Sequence, residues 1–217
     1  MYYLDASRGT EILQDLIAII LENRTYLSEV DGAIGDGDHG VNMAKGFRLC
    51  GEAIAGQPLT LSNALGKLAS VLIGSIGGSM GPLYGSLFLG MATTIKVHTR
   101  IDSDVFAEML SGGLRSLQDI SDAKVGDKCM LDTLVPAVEA YHQSLAAEDD
   151  FPTALEKLRL SAEQGKESTT DLVSKIGRSS RLGERSRGHL DAGAVSCCLI
   201  LKQLADSTEA RLEQITT

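Results

Sequence analysis

Apolar residues recur every three or four positions along most of this chain, the spacing that gives a helix one buried stripe. Over 9–29 the stripe is Ile12, Leu13, Leu16, Ile17, Ile20 and Leu27. A second helix covers 41–55 and opens on Met43-Ala44-Lys45-Gly46-Phe47. Two apolar arms follow, 61–73 and 83–97. Residues 103–120 carry Val105, Phe106, Met109, Leu110, Leu114 and Leu117. Residues 129–146 carry Met130, Leu131, Leu134, Val135, Val138, Tyr141 and Leu145, with Pro136 inside as a potential kink. A helix over 151–174 starts near Pro152, where proline is favoured. The last runs over 192–212 through Val195, Leu199, Leu201, Leu204 and Leu212. Alternating runs rich in Val, Ile and Thr are missing. The pattern predicts an all-α bundle, one domain over 1–217, with no linker and no repeat of fixed period.

Between Lys67 and Lys96, across the end of the first arm and most of the second, there is no charged residue. A membrane helix needs about 20 continuous apolar residues. Here Gly74-Ser75-Ile76-Gly77-Gly78-Ser79-Met80-Gly81-Pro82 divides the run, so two buried helices are expected and no membrane span. Composition narrows the function further. The net charge is −9 and Trp is absent, which disfavours nucleic acid and stacking platforms. The cysteines at 50, 129, 197 and 198 form no CxxC pair and no disulfide framework, so a reducing cytoplasm is expected. The N-terminus has no basic region followed by an apolar run, hence no signal peptide is expected.

The connections carry the chemistry. Val30-Asp31-Gly32-Ala33-Ile34-Gly35-Asp36-Gly37-Asp38-His39-Gly40-Val41-Asn42 holds three aspartates within eight residues. Carboxylates at that density repel one another unless a cation sits among them, and Asp oxygens suit Mg²⁺ or Ca²⁺. A solvated acidic turn is the competing reading. The ligand spacing and closing Glu of an EF-hand are absent. Gly77-Gly78-Ser79 before a helix is a candidate phosphate cradle, or else a connection that only permits close packing. Asp127, in Val125-Gly126-Asp127-Lys128, reads as a helix N-cap. The loop 177–193 holds four Arg against one Glu and one Asp in an acidic chain, and Arg can clamp phosphate with a planar fork. Three aspartates and a diphosphate bring roughly six negative charges together, which two Mg²⁺ ions and an Arg would nearly neutralise. No Walker A sequence or kinase Gly-loop signature is present.

Four motifs, taken in order, resemble the L (nucleotide-binding) subunit of dihydroxyacetone kinase. They are Gly35-Asp36-Gly37-Asp38-His39-Gly40 with Asn42; Gly77-Gly78 with Gly81-Pro82-Leu83-Tyr84-Gly85; Gly126-Asp127-Lys128 with Met130-Leu131-Asp132; and Gly177-Arg178, then Leu182-Gly183-Glu184-Arg185-Ser186, Gly188-His189, Asp191 and Gly193-Ala194. The resemblance implies an antiparallel eight-helix barrel with the nucleotide at one end. It implies two Mg²⁺ ions on Asp31, Asp36 and Asp38. ADP or ATP would lie against His39, Asn42, Ser79, Met80, Met130, Arg178, Asp191 and Gly193, with Met130 near the adenine. It also implies phosphoryl transfer to dihydroxyacetone or a related small ketose held by a separate K subunit. The donor would be ATP or a phosphotransferase-system protein that rephosphorylates bound ADP. No catalytic residue is assigned to this chain, because the family places substrate activation on the partner.

The sequence departs from the family pattern at several points. Ser79-Met80 stands where Ala-Ser is usual, Cys129 where Thr is usual, and Ser121 where Gly is usual. Arg181, Arg187 and Leu190 replace an aromatic, an aliphatic and a Gln, and Ala192 replaces Pro. Arg181 and Arg187 are expected at a partner interface, where they would mark a different K subunit, such as one serving another small ketose or a four-carbon sugar. Two other classes stay open: an ADP-binding regulator that signals to a transcription factor without turnover, and a structural subunit that has lost its nucleotide.

Overall fold

A computed structural model describes residues 1–214. Nine α-helices and three short strands make up the described chain. They are β1 (Tyr2–Asp5), α1 (Gly9–Glu22), α2 (Arg24–Ile34), α3 (His39–Ala53), α4 (Leu61–Ser75), α5 (Met80–Thr94), β2 (Arg100–Ile101), α6 (Ser103–Gln118), α7 (Leu131–Ala146), α8 (Phe151–Ser168), α9 (Ala192–Glu209) and β3 (Leu212–Gln214). From α3 to α9 each helix packs on the next, and α9 packs on α1 and α2 to close the ring. The expected all-α class holds. Counting α1 and α2 as one bent helix gives eight up-and-down helices.

Polar side chains set several helix starts. Thr60, Asp102, Asp150 and Asp191 each accept a backbone N–H three residues on, capping α4, α6, α8 and α9. The apolar stripes then meet inside the ring. Leu16, Ile20, Leu65, Leu72, Phe88, Leu110, Leu134, Leu158, Ile200 and Leu204 are fully buried. Helix α9 is buried nearly all round, including Cys197 and Cys198, and all four cysteines are free.

The structure differs from the expected helix boundaries at several places. The helix expected over 9–29 breaks at Asn23, whose carboxamide donates to the Ile19 carbonyl at 2.8 Å. The second piece then runs on to Ile34, so Asp31 sits in a helical turn and the acidic loop shrinks to 35–38. Helix α8 stops at Ser168 rather than 174. There the Ser168 and Thr169 hydroxyls donate to the carbonyls of Gly165 and Lys166 and compete with the backbone ladder. Pro136 lies inside α7, which continues through it.

The strands were not expected. β1 pairs antiparallel with both β2 and β3, placing Leu4 opposite Ile101 and Leu212. With two to four residues each, they are too short to show an alternating pattern. They close the end of the ring where α1 begins and α9 finishes. At the other end gather the connections 35–38, 76–79, 119–130 and 169–191. Among the described residues no helix is long and apolar enough to cross a membrane.

Candidate functional site

Those four connections surround a cavity of about 650 Å³. Its lining includes all eleven residues singled out above: Asp31, Asp36, Asp38, His39, Asn42, Ser79, Met80, Met130, Arg178, Asp191 and Gly193.

The carboxylates converge because of how α2 meets α3. Asp31 projects from the last turn of α2, and Asp36 and Asp38 come from the loop. One oxygen of each lies within 4.8 Å of the others. Asp31 also accepts the backbone N–H of His39 at 3.3 Å, which ties helix to loop. Glycine is required on both sides. A Cβ on Gly35 would stand 2.4 Å from an Asp31 carboxylate oxygen, and one on Gly40 would stand 2.0 Å from the Arg24 carbonyl. Three hard oxygen donors at this separation fit a divalent cation, and without one their repulsion is uncompensated. Arg178 reaches across from the last loop and pairs with Asp36.

Opposite the aspartates, α5 begins at Met80 rather than at 83. Ser79 makes no side-chain cap, so the Met80 and Gly81 N–H groups that open the helix beside the cavity receive none from it; Pro82 has no N–H. A helix N-terminus with free donors attracts anions through both the N–H groups and the helix dipole.

His39 opens α3 with only 8% of its surface exposed. Its Nε2 lies 2.8 Å from the Ser196 hydroxyl on α9. Tyr84 of α5 meets the same hydroxyl at 2.6 Å and the Gly193 carbonyl at 3.2 Å. This network joins α3, α5 and α9 behind the cavity. Burial pushes the His39 imidazole down to about 4, against the opposing pull of Asp31, so the ring is neutral at pH 7.

The third wall starts from Asp132, which is buried. Its two oxygens accept the backbone N–H groups of Gly126 and Cys129, the latter at 2.7 Å, folding 126–129 against the start of α7. That fold places Met130, 6% exposed, at the base of the cavity. Asp127 accepts the Lys124 N–H instead of capping α7 as expected. Asp191 caps α9 by accepting the Ala194 N–H at 2.8 Å, and desolvation pushes its carboxyl up to about 6.

Sequence reasoning missed several groups. Ser196 was missed as the partner of His39, and Tyr84 as the second partner of Ser196, although a serine within Val195-Ser196-Cys197 was a visible signal. Ile120 and Ile176, both exposed, line the cavity and went unnoticed. Lys128 is 1% exposed and was read only as a motif residue. His189 contributes its carbonyl, which accepts from Lys128. Arg187 is exposed, as an interface residue would be. It is used within its own loop, on Glu184 at 3.1 Å and the Asp171 carbonyl at 2.5 Å.

A helical ring whose one open end combines three hard carboxylates, an arginine and a helix N-terminus has the donor set that suits a divalent cation and a phosphate group. The DAK2 domain matches residues 33–206. The ADP-binding subunit DhaL of PEP-dependent dihydroxyacetone kinase 2 of Listeria innocua is 34% identical over 94% of this chain and 95% of its own length. The L-erythrulose kinase of Pectobacterium atrosepticum is 32% identical over 92% of this chain but only 34% of its own length. The crystal structure of the dihydroxyacetone kinase of C. freundii superimposes with a TM-score of 0.70 at 26% identity, covering 92% of this chain. The same enzyme with AMP-PNP and Mg²⁺ superimposes at 0.67 and 23% identity, which supports the fold. This chain spans about a third of that solved enzyme, 34% in the native form. The chain belongs to the DAK2-domain family of dihydroxyacetone kinase L subunits.

Proposed function

We propose that this chain is the nucleotide-carrying subunit of a kinase for dihydroxyacetone or a related short ketose. It holds ADP or ATP with two Mg²⁺ ions and passes phosphoryl to a substrate bound on a separate K subunit. The observation that carries the reading is the convergence of Asp31, Asp36 and Asp38 in one cavity with Arg178 and the N-terminus of α5.

Asp31, Asp36 and Asp38 hold the Mg²⁺ ions, which neutralise phosphate charge when bound. Arg178 exchanges Asp36 for a phosphate oxygen. The N–H groups opening α5 donate to another. Neutral His39, held by Ser196, borders the phosphate end without adding charge. Met130 supplies the apolar contact for the base, and Gly193 and Asp191 close the far wall. No group here takes a proton from the ketose, so this chain contributes positioning and charge compensation. Retention of ADP, with rephosphorylation in place by a phosphotransferase-system protein, is the branch favoured by the ADP-binding relative.

Calorimetric titration of nucleotide-stripped protein with ADP and ATP, with and without Mg²⁺, tests the reading. ADP should bind tightly only with Mg²⁺. Asp36→Ala should cost at least about tenfold in affinity, or ~1.4 kcal/mol. Unchanged ADP affinity in Asp36→Ala removes the metal assignment. Ready exchange of ADP for ATP points to ATP as the direct donor.

A further inference from the structure

Lys128 is buried, carries a chain with φ of +65°, and points its ammonium at three carbonyl oxygens. It donates to Thr169 at 2.5 Å, to Leu172 at 3.2 Å and to His189. An ammonium has three N–H donors and no acceptor, so three carbonyls satisfy it fully. Asp191, Asp132 and Asp171 lie around the charge, and Arg187 opposes it. The positions of those carbonyls are informative. Thr169 and Leu172 stand where the last loop leaves α8, and His189 stands where it returns to α9. The segment between carries Arg178 and is tied elsewhere by the Lys175 N–H on the Asp127 carbonyl at 3.1 Å and by the Arg178–Asp36 pair.

The other bonds at the neck join neutral groups, apart from that of the exposed Arg187 guanidinium to the Asp171 carbonyl at 2.5 Å. Gly188 donates to the Thr170 carbonyl at 2.8 Å, and Asp191 donates its N–H to the Thr169 hydroxyl at 3.1 Å. Inside the loop, Ser174 is bound by the hydroxyls of Ser186 and Ser179. Lys128 is the buried cation of the neck, and its chain position is two residues before Met130. One residue therefore joins the wall assigned to the base with the arm assigned to phosphate.

We propose that Lys128 is a positioning residue: its ammonium closes the neck of loop 173–188 and thereby holds Arg178 over the metal site. The link to nucleotide rests on the function proposed above, whereas the closure of the loop does not. Lys128→Met keeps an unbranched apolar stem of similar bulk and removes the donors. In the ligand-free full chain, trypsin should nick Lys128→Met after Lys175, Arg178, Arg181, Arg185 or Arg187 at least about tenfold faster than the parent, with cleavage elsewhere unchanged, because nicking follows local opening. Lys128→Gln, with two donors, should fall between the two. With Mg²⁺ present, ADP affinity should drop about tenfold, whereas adenosine, which lacks phosphate, should change by less than about twofold. Arg178→Ala should lose as much for ADP, and the double variant should lose no more than either single one, since both act through one guanidinium.

Unchanged nicking in a folded Lys128→Met overturns the clamp. Additive losses in the double variant overturn the route through Arg178. Loss of the folded state in both Lys128 variants overturns the proposal too, because Lys128 would then support the whole ring. If the parent protein binds no ADP, the function proposed above fails, and the nicking rates still decide whether Lys128 closes the loop.

Discussion

Ser196 occupies a demanding position for so small a side chain. Its hydroxyl meets His39 Nε2, the Tyr84 hydroxyl and the Gly193 carbonyl, all in a buried space. Removing either neighbour has different consequences. Tyr84→Phe leaves Ser196 bonded to His39 and Gly193, so the cost should be about 1 kcal/mol. Ser196→Ala leaves the buried His39 nitrogen without a partner, and the cost should rise to about 1–3 kcal/mol. Denaturant unfolding of the two variants checks the order, and a costlier Tyr84→Phe would mean that His39 finds another partner. Such groups were hard to read in the sequence. A serine inside an apolar run announces a buried hydroxyl, but its partner lies 157 residues away on another helix. Lys128 was illegible for the same reason, since its three acceptors are backbone carbonyls, which every residue has. The charged residues were the readable part. Asp31, Asp36 and Asp38 stand close together in the chain, and the local turn alone brings them near one another.

At the scale of elements, spacing alone gave α4, α6, α7 and α9 to within a few residues, because apolar side chains recur at helical spacing along each. The errors fall where side chains compete with the ladder, at Asn23 and at Ser168–Thr169. The strands at the closed end are held by one another rather than by local preference. The α2–α3 corner matters most for the site. A Cβ at Gly40 would meet the Arg24 carbonyl at 2.0 Å and Ser28 N at 2.7 Å, backbone atoms that cannot turn away. Gly40→Ala should therefore push the start of α3 off α2 and carry Asp36 and Asp38 away from Asp31. We expect a loss of about 1–3 kcal/mol in stability, typical of overpacking. Mg²⁺-dependent ADP binding should weaken by at least about tenfold, measured by calorimetry. Parent-like binding in a folded Gly40→Ala would show that the carboxylates do not depend on this corner.

The whole molecule separates stability from chemistry along the ring axis. The cavity lies at the end where α2, α4, α6 and α8 finish. At the other end Phe106 packs on Tyr141 and Phe151, with ring centres 5.4 and 5.5 Å away, beside the small sheet. Phe106 is fully buried and is not among the cavity-lining residues, yet α6 and α7 run from this cluster to Ile120 and Met130. Phe106→Leu should lower stability by about 1–3 kcal/mol, the ordinary range for a reshaped core. Its effect on the site should be small, because well-separated positions contribute independently. Ligand linkage gives a clean readout. A ligand that binds only the folded state adds RT ln(1 + [L]/Kd), so equal affinity means an equal increment. Saturating ADP with Mg²⁺ should therefore stabilise Phe106→Leu by the same free energy as the parent, measured by thermal unfolding at matched ligand concentration. A smaller increment in the variant would show that α6 and α7 transmit packing changes along their length, making the closed end part of the site.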